Sequence, residues 1–359
     1  MVEVVAVSDI DASWLTARLH EAGALRESRV TGFSQHNVGN GLVGTSVRFS
    51  LQYDSPEPGA PGSVVGKFPS EDPTSRQSGA GMRLYLREVN FYRFIAPTVE
   101  IHTPRVYASG FDPGSHDFFL LFADMAPARW GDQLTGCNVA DAATAMVEIA
   151  ALHGPRWGDP ALDTLDWLGL PRPETERIVQ LVAPVAEMFR ERYQAVLEAE
   201  VMEAVMRLVP LAHRMMFDVP SARTVVHGDF RLDNVLFDAK GGALKLATLD
   251  WQTVRRGCGT LDAAYFLGAG LRTWDRAAHE ADLMRLYHET LLSFGVPGYS
   301  WEQCWHDYRK YCLHGVFMAM FSAISVARTD RGDEMFLTMA RRHGQQALEL
   351  RAFDLWGQT

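Results

Sequence analysis

Eight residues carry most of the chemistry this chain can offer: His227-Gly228-Asp229-Phe230-Arg231-Leu232-Asp233-Asn234, with a further acid, Asp250, sixteen residues after Asn234. Such a set suits phosphoryl transfer. One carboxylate receives the proton of an acceptor hydroxyl, while an amide oxygen and a second carboxylate hold a hard divalent cation. Asp229 is the candidate base, and Asn234 and Asp250 are the candidate Mg2+ ligands. Arg231, two residues past the base, either offsets the charge of a transferring phosphate or makes a structural ion pair. His227 reads as a brace for the loop and Asp233 as a turn former.

A second set lies near the N-terminus. Gly39-Asn40-Gly41-Leu42-Val43-Gly44 has G-x-G-x-x-G spacing, but a strand pattern follows it where a dinucleotide site needs a helix. Gly39, Gly41 and Gly44 then either fold over phosphates through backbone N–H groups or make a plain hairpin turn. Lys67 interrupts the apolar strand Val64–Phe68, and Glu88 falls on the next helical pattern, 82–95. Alone, each is an ordinary surface charge. In the order glycine loop, lysine, glutamate, they match a strand Lys held by a helix Glu and aimed at nucleotide phosphates.

The elements that must position these groups change character along the chain. Residues 32–53 read as two strands, 64–68, 105–109 and 118–122 as three more, and 69–81 as a polar loop. From about residue 126 helical patterns dominate, notably 139–152 and 174–217 with a break or bend near Pro184, interrupted by the strand-rich stretch 224–251. Strands first and helices later imply an α+β chain of two lobes with a cleft between them, residues 1–125 and 126–359.

Composition narrows the function classes. The chain is 47% hydrophobic and carries a net charge of −10 without a basic cluster, which argues against a nucleic-acid partner. Four cysteines without C-x-x-C spacing give no zinc or disulfide framework, and a cytoplasmic setting is expected. The uncharged stretch 311–327 is too short and too polar for a membrane span and reads as a core helix. No G-x-S-x-G or H-E-x-x-H motif is present, and nothing in the sequence requires an obligate protein partner.

H-G-D-F-R-L-D-N followed by L-D-W-Q resembles the aminoglycoside phosphotransferase and choline-kinase-like superfamily, especially its bacterial ecdysteroid-kinase-like branch. The likeness spans most of the chain, from the Gly39 loop to Asp262. It implies a protein-kinase-like fold: a small antiparallel-sheet N-lobe, a larger, mainly helical C-lobe, and ATP between them. The adenine would lie against backbone at Phe122, Ala123, Asp124 and Met125, a hinge near 122–126. Asp229 then matches the catalytic base, Asn234 and Asp250 the metal ligands, Lys67 the phosphate-contacting lysine and Glu88 its partner. Asp262 matches a position that supports the catalytic loop. Trp-Gln after Asp250, Gly228 in place of the protein-kinase arginine, and only twelve residues from Asp250 to Asp262 all depart from protein kinases. They favour a small-molecule kinase.

The expected reaction is ATP- and Mg2+-dependent phosphorylation of a small hydroxylated molecule. The rival readings are a protein kinase, an aminoglycoside-type antibiotic phosphotransferase, and a catalytically silent nucleotide-binding module. Trp301, Trp305 and Tyr308, at i, i+4 and i+7, form either one wall of a pocket for a bulky, apolar alcohol (sterol-like or acyl) or ordinary core packing.

Overall fold

The computed structural model describes residues 3–39, 43–326 and 328–356. The chain divides into two compact units. The first comprises Met1–Pro97, Thr103–Pro127 and Leu249–Gln252, and the second Thr98–His102, Ala128–Thr248 and Thr253–Thr359.

The first unit opens with α1 (Ala12–Glu21), capped by the Asp11 carboxylate, which accepts from the Trp14 N–H at 2.7 Å. Leu15 and Leu19, one turn apart, are fully buried against the sheet. That sheet consists of β1 (Val30–Asn37), β2 (Gly44–Tyr53), β3 (Ser63–Pro69), β4 (Val106–Phe111) and β5 (Phe118–Ala123), in the order β1-β2-β3-β5-β4 with every neighbour antiparallel. Period-2 alternation sends Val47, Phe49, Val64, Phe68, Phe119 and Leu121 into one core with α1. Phe118 and Phe122 face the other way and meet Tyr85 and Tyr92. With both faces covered, β5 can be a continuous apolar run, each residue contributing about 1.5–3 kcal/mol by leaving water. Lys67 is out of phase with Val64 and Phe68, so its side chain lies on the face of α3 (Leu84–Asn90).

One expectation for this unit is overturned. Pro73–Gly81, read as part of a polar loop, is a helix, α2. Asp72 starts it, its carboxylate accepting from the Ser75 N–H at 2.8 Å, and Pro73 follows with its φ already near the helical value. Polarity on all sides concealed it.

The second unit carries β6 (Arg129–Trp130), α4 (Val139–His153), α5 (Arg172–Tyr193), α6 (Ala199–Arg207), α7 (Ala212–Phe217), β7 (Thr224–Val226), β8 (Val235–Asp238), β9 (Leu244–Thr248) and β10 (Arg255–Gly257). It continues with α8 (Thr260–Gly270), α9 (Thr273–Ser293), α10 (Trp301–Tyr311), α11 (Leu313–Ser325) and α12 (Asp330–Glu349). All residues of α8 are buried, making it the axis around which the other helices pack. Two short sheets, β10-β7 and β6-β8-β9, frame the loop 227–234. α5 runs through Pro184, which is exposed, and the chain breaks at 194–198 instead. Tyr308 is fully buried and donates to Glu280 at 2.7 Å, while Trp305 stacks on it and Trp301 on Trp305. This aromatic ladder packs α10 onto α9. Among the described residues no helix is long and apolar enough to cross a membrane.

Candidate active site

In the first unit, the structure gathers Gly44, Lys67, Glu88 and Asp250. The Lys67 Nζ donates to Glu88 Oε1 at 2.8 Å and to Asp250 Oδ1 at 3.0 Å. Burial alone would push the amine down, but the charges of Asp250 and Glu88 outweigh it and hold the lysine above its usual range. Glu88 is 1% exposed, and burial pushes its carboxyl up against the pull of Lys67. Gly44 lies against this lysine: a Cβ there would stand 3.4 Å from Lys67 Cε and 3.1 Å from the Phe68 carbonyl oxygen. Gly39, at φ +77°, lies in the β1–β2 connection, and Gly41 lies outside the described residues.

Asp250 has a left-handed backbone, φ +62°, uncommon for a non-glycine residue. Its neighbour Trp251 fixes it: the indole is fully buried, stacks on Phe91 with centroids 3.6 Å apart, and donates to Thr103 Oγ1 at 3.3 Å. Phe122 and Ala123 end β5, and Asp124 and Met125 follow, both buried. The Asp124 carboxylate accepts from Arg48 Nε and from the Ser63 hydroxyl, each at 2.6 Å. Burial raises this carboxyl, but Arg48 and Ser63 overcome that and hold it below the usual range.

In the second unit, the loop between β7 and β8 brings Asp229, Arg231, Asp233 and Asn234 together. Asn234 Nδ2 donates to the Asp229 carbonyl oxygen at 2.8 Å and to Asp229 Oδ2 at 2.9 Å. Both donors thus turn toward Asp229, and among the described residues nothing donates to the amide oxygen. An amide oxygen presented this way is a hard donor of the kind Mg2+ takes. Arg231 contacts Asp229 Oδ2 at 3.3 Å, Asp233 Oδ2 at 2.8 Å and the Met335 sulfur at 3.3 Å. Burial disfavours its charge, but Asp229 and Asp233 more than compensate.

The start of the loop is held from below. Asp262, on α8, accepts from the His227 N–H at 2.6 Å and the Gly228 N–H at 2.8 Å, with His153 Nε2 at 3.2 Å. Burial raises the Asp262 carboxyl, yet His153, His227 and the Gly228 N–H pull it below its normal range. Gly228 has φ +82°, and a Cβ there would lie 2.7 Å from the Thr253 carbonyl oxygen. Only glycine fits this turn. His227 Nδ1 accepts from the Asp229 N–H at 3.2 Å, the bracing role its position suggested.

The sequence matches the family model described as phosphotransferase enzyme family (APH) over residues 74–302, well over half of the chain. The chain belongs to this family. It is an enzyme that transfers a phosphoryl group to an alcohol acceptor. Comparison with curated protein sequences gave no match. Solved structures resemble it in fold. Choline kinase from Cryptosporidium parvum Iowa II is 11% identical with a TM-score of 0.56, covering 90% of this chain and 91% of that one. Ethanolamine kinase from Plasmodium vivax is 10% identical with a TM-score of 0.53, covering 90% and 85%. The GDP complex of wild-type aminoglycoside 2'-phosphotransferase-IIIa is 12% identical with a TM-score of 0.51, covering 86% and 92%. The kinase-like α+β fold expected from the H-G-D-x-x-x-x-N motif is therefore the one found.

Three residues around the loop of this phosphotransferase escape the motif. Gln133, fully buried, accepts from the Leu232 N–H at 3.1 Å through its side-chain oxygen, while its own N–H donates to Asp233 Oδ1 at 3.0 Å. His314 Nε2 donates to the Gly228 carbonyl oxygen at 2.9 Å. The Tyr265 hydroxyl donates to Asp229 Oδ1 at 3.0 Å. Of these, only Tyr265 left a trace in the sequence, one helical turn past Asp262 and so on the same face of α8.

Proposed function

We propose that this phosphotransferase uses Mg2+ and ATP to phosphorylate a hydroxyl group on a bulky, largely apolar small molecule. The observation that carries the reaction is the fixed Asp229 carboxylate, held through Asn234 and Arg231. In this reading the acceptor oxygen attacks the γ-phosphorus, its proton passes to Asp229, and the bond to the bridging oxygen breaks to release ADP. Lys67, kept charged by Glu88, contacts the nucleotide phosphates, and the connection that carries Gly39 and Gly44 covers them with backbone N–H groups. Backbone at Phe122–Met125 receives the adenine. Asn234 and Asp250 would hold Mg2+, which when bound neutralises phosphate charge. Arg231 keeps a cation beside Asp229, where it offsets the charge of the transferring group.

The acceptor class rests on α11. From His314, tied to Gly228 beside the base, a row of half-buried residues runs along this helix: His314, Phe317, Met318 and Phe321, at i, i+3, i+4 and i+7. Phe317 and Phe321 stack 5.2 Å apart. Two acids of this unit already have partners, Asp233 with Arg231, and Asp333 with Arg328 at 2.7 Å and Tyr193 at 2.6 Å. They are poorly placed to receive a polycationic antibiotic. ADP release measured with long-chain and polycyclic alcohols, choline and aminoglycosides tests this. Turnover is expected with the apolar alcohols and its loss in Asp229→Ala; turnover confined to aminoglycosides sinks the acceptor class, and an active Asp229→Ala enzyme sinks the base.

A further inference from the structure

We propose that Tyr265 is a positioning residue for the catalytic base, an assignment that rests on Asp229 having that role. A carboxylate turns easily about its terminal torsion, which is broad and roughly two-fold. Asn234 and Arg231 both engage Oδ2 of Asp229. Oδ1 accepts from the Tyr265 hydroxyl, the one donor it has among the described residues. Contacts on one oxygen leave the carboxylate able to swing, and a donor on each oxygen fixes its plane. Burial first, and then the charge of Asp229, raise the Tyr265 phenol well above its usual range, so it stays a donor throughout the working pH range.

The surroundings hold Tyr265 in turn. The residue is 2% exposed, and its ring lies parallel to that of His343, with centroids 5.2 Å apart and planes 6° apart. His343 occupies a slot that two glycines leave open. A Cβ on Gly268 would come within 2.4 Å of the His343 ring, and one on Gly315 within 2.1 Å. Below the slot, Gln346 Nε2 donates to the Tyr308 hydroxyl at 2.9 Å, and that hydroxyl donates to Glu280 at 2.7 Å. His314 closes another side, its ring 5.2 Å from Tyr265. The phenol therefore cannot turn away from Asp229 without displacing α11 or α12.

Tyr265→Phe removes the hydroxyl and keeps the ring, so the packing on His343 survives. The test is steady-state turnover of Mg2+-ATP, with water and with the best alcohol of the panel as acceptors, in the wild type, Tyr265→Phe, Asp229→Asn and the double variant. Thermal melting is read alongside. The expected result is a kcat lower by roughly 10–100-fold in Tyr265→Phe, with the KM for ATP and the melting temperature nearly unchanged. In the Asp229→Asn background the second change should cost nothing further. A Tyr265→Phe enzyme with wild-type kcat, beside an inactive Asp229→Asn, overturns the positioning role and leaves the base reading intact. So does a loss of kcat that comes with a raised KM and a lowered melting temperature, the mark of general damage. An active Asp229→Asn enzyme overturns the base reading itself, and the role of Tyr265 with it.

Discussion

His343 should make the second unit sensitive to acid. Its ring is fully buried, and burial pushes it down from 6.5 to about 3; Gln346 pulls the other way, and His314, Arg276 and Arg342 add smaller downward pushes. The unfolded chain therefore takes up a proton near pH 6.5 that the folded chain refuses until about pH 3. Stability associated with this group is complete above the unfolded value and is lost as pH falls. By pH 5 the loss is about 2 kcal/mol, accumulating at no more than about 1.4 kcal/mol per pH unit. His343→Asn removes the titration. The variant will be the weaker protein at pH 8, because it loses the stack on Tyr265. The quantity that matters is the gap between the two proteins, which should shrink by about 2 kcal/mol between pH 8 and pH 5. Urea titrations read by amide-exchange protection of peptides from α8 and α12 report the unit concerned. A gap that stays constant across that range refutes the claim that His343 is held neutral.

Two further perturbations act on the candidate site. Lys67→Met strands the buried Glu88 carboxylate, so it should cost about 3 kcal/mol at pH 8 and less at pH 5, where the stranded acid takes up a proton. Adding Glu88→Gln should restore much of that stability but no turnover; urea unfolding that finds Lys67→Met as stable as the wild type removes the pair from the account. Gly228→Ala forces a Cβ against the Thr253 carbonyl oxygen at positive φ, a strain of about 1–3 kcal/mol. Because Asp229 follows directly, kcat should fall by roughly 10-fold or more while the KM for ATP holds, and an unchanged kcat would show that the turn tolerates a side chain.

What could be read in the sequence has a physical boundary. The polar cluster of the 227–234 loop was legible because a tight turn draws its carboxylates and its amide from adjacent positions. Lys67 was legible because it breaks an apolar strand out of phase with the core, and its ion pair with Glu88 needs only a helix close behind it in the chain, α3. α2 was missed because a helix polar on every side shows no periodicity, although Asp72 and Pro73 mark its start. Pro184 does not end its helix because an exposed proline on a long helix gives up a hydrogen bond that water can replace. The proposed acceptor side lies on α11, not α10, because Trp301, Trp305 and Phe317 look alike as a string of aromatics; only packing separates a ladder that glues two helices from a half-open row beginning next to the proposed base.

The residues that stayed hidden share one property. Tyr265, Gln133, His314 and His343 each act on a group far away in the chain, and beyond the placement of Tyr265 one turn past Asp262 no local spacing encodes the contact. This follows from the chemistry. A loop that must present a carboxylate and an amide outward spends its own side chains on the reaction, so the groups that stiffen it have to come from elsewhere. Here they arrive from α8, α11, α12 and the segment after β6, and two of these approaches use a place where a side chain is missing: Gly131 lies against the Leu232 carbonyl oxygen, and Gly268 and Gly315 leave room around His343. Glycines inside buried helices weaken them by about 1 kcal/mol each relative to alanine. That cost is intelligible where the vacant Cβ admits an imidazole that backs the tyrosine bonded to Asp229. Scattered helix glycines opposite a catalytic loop are thus the trace such a scaffold leaves in a sequence, readable only once the fold says which of them face the same ring.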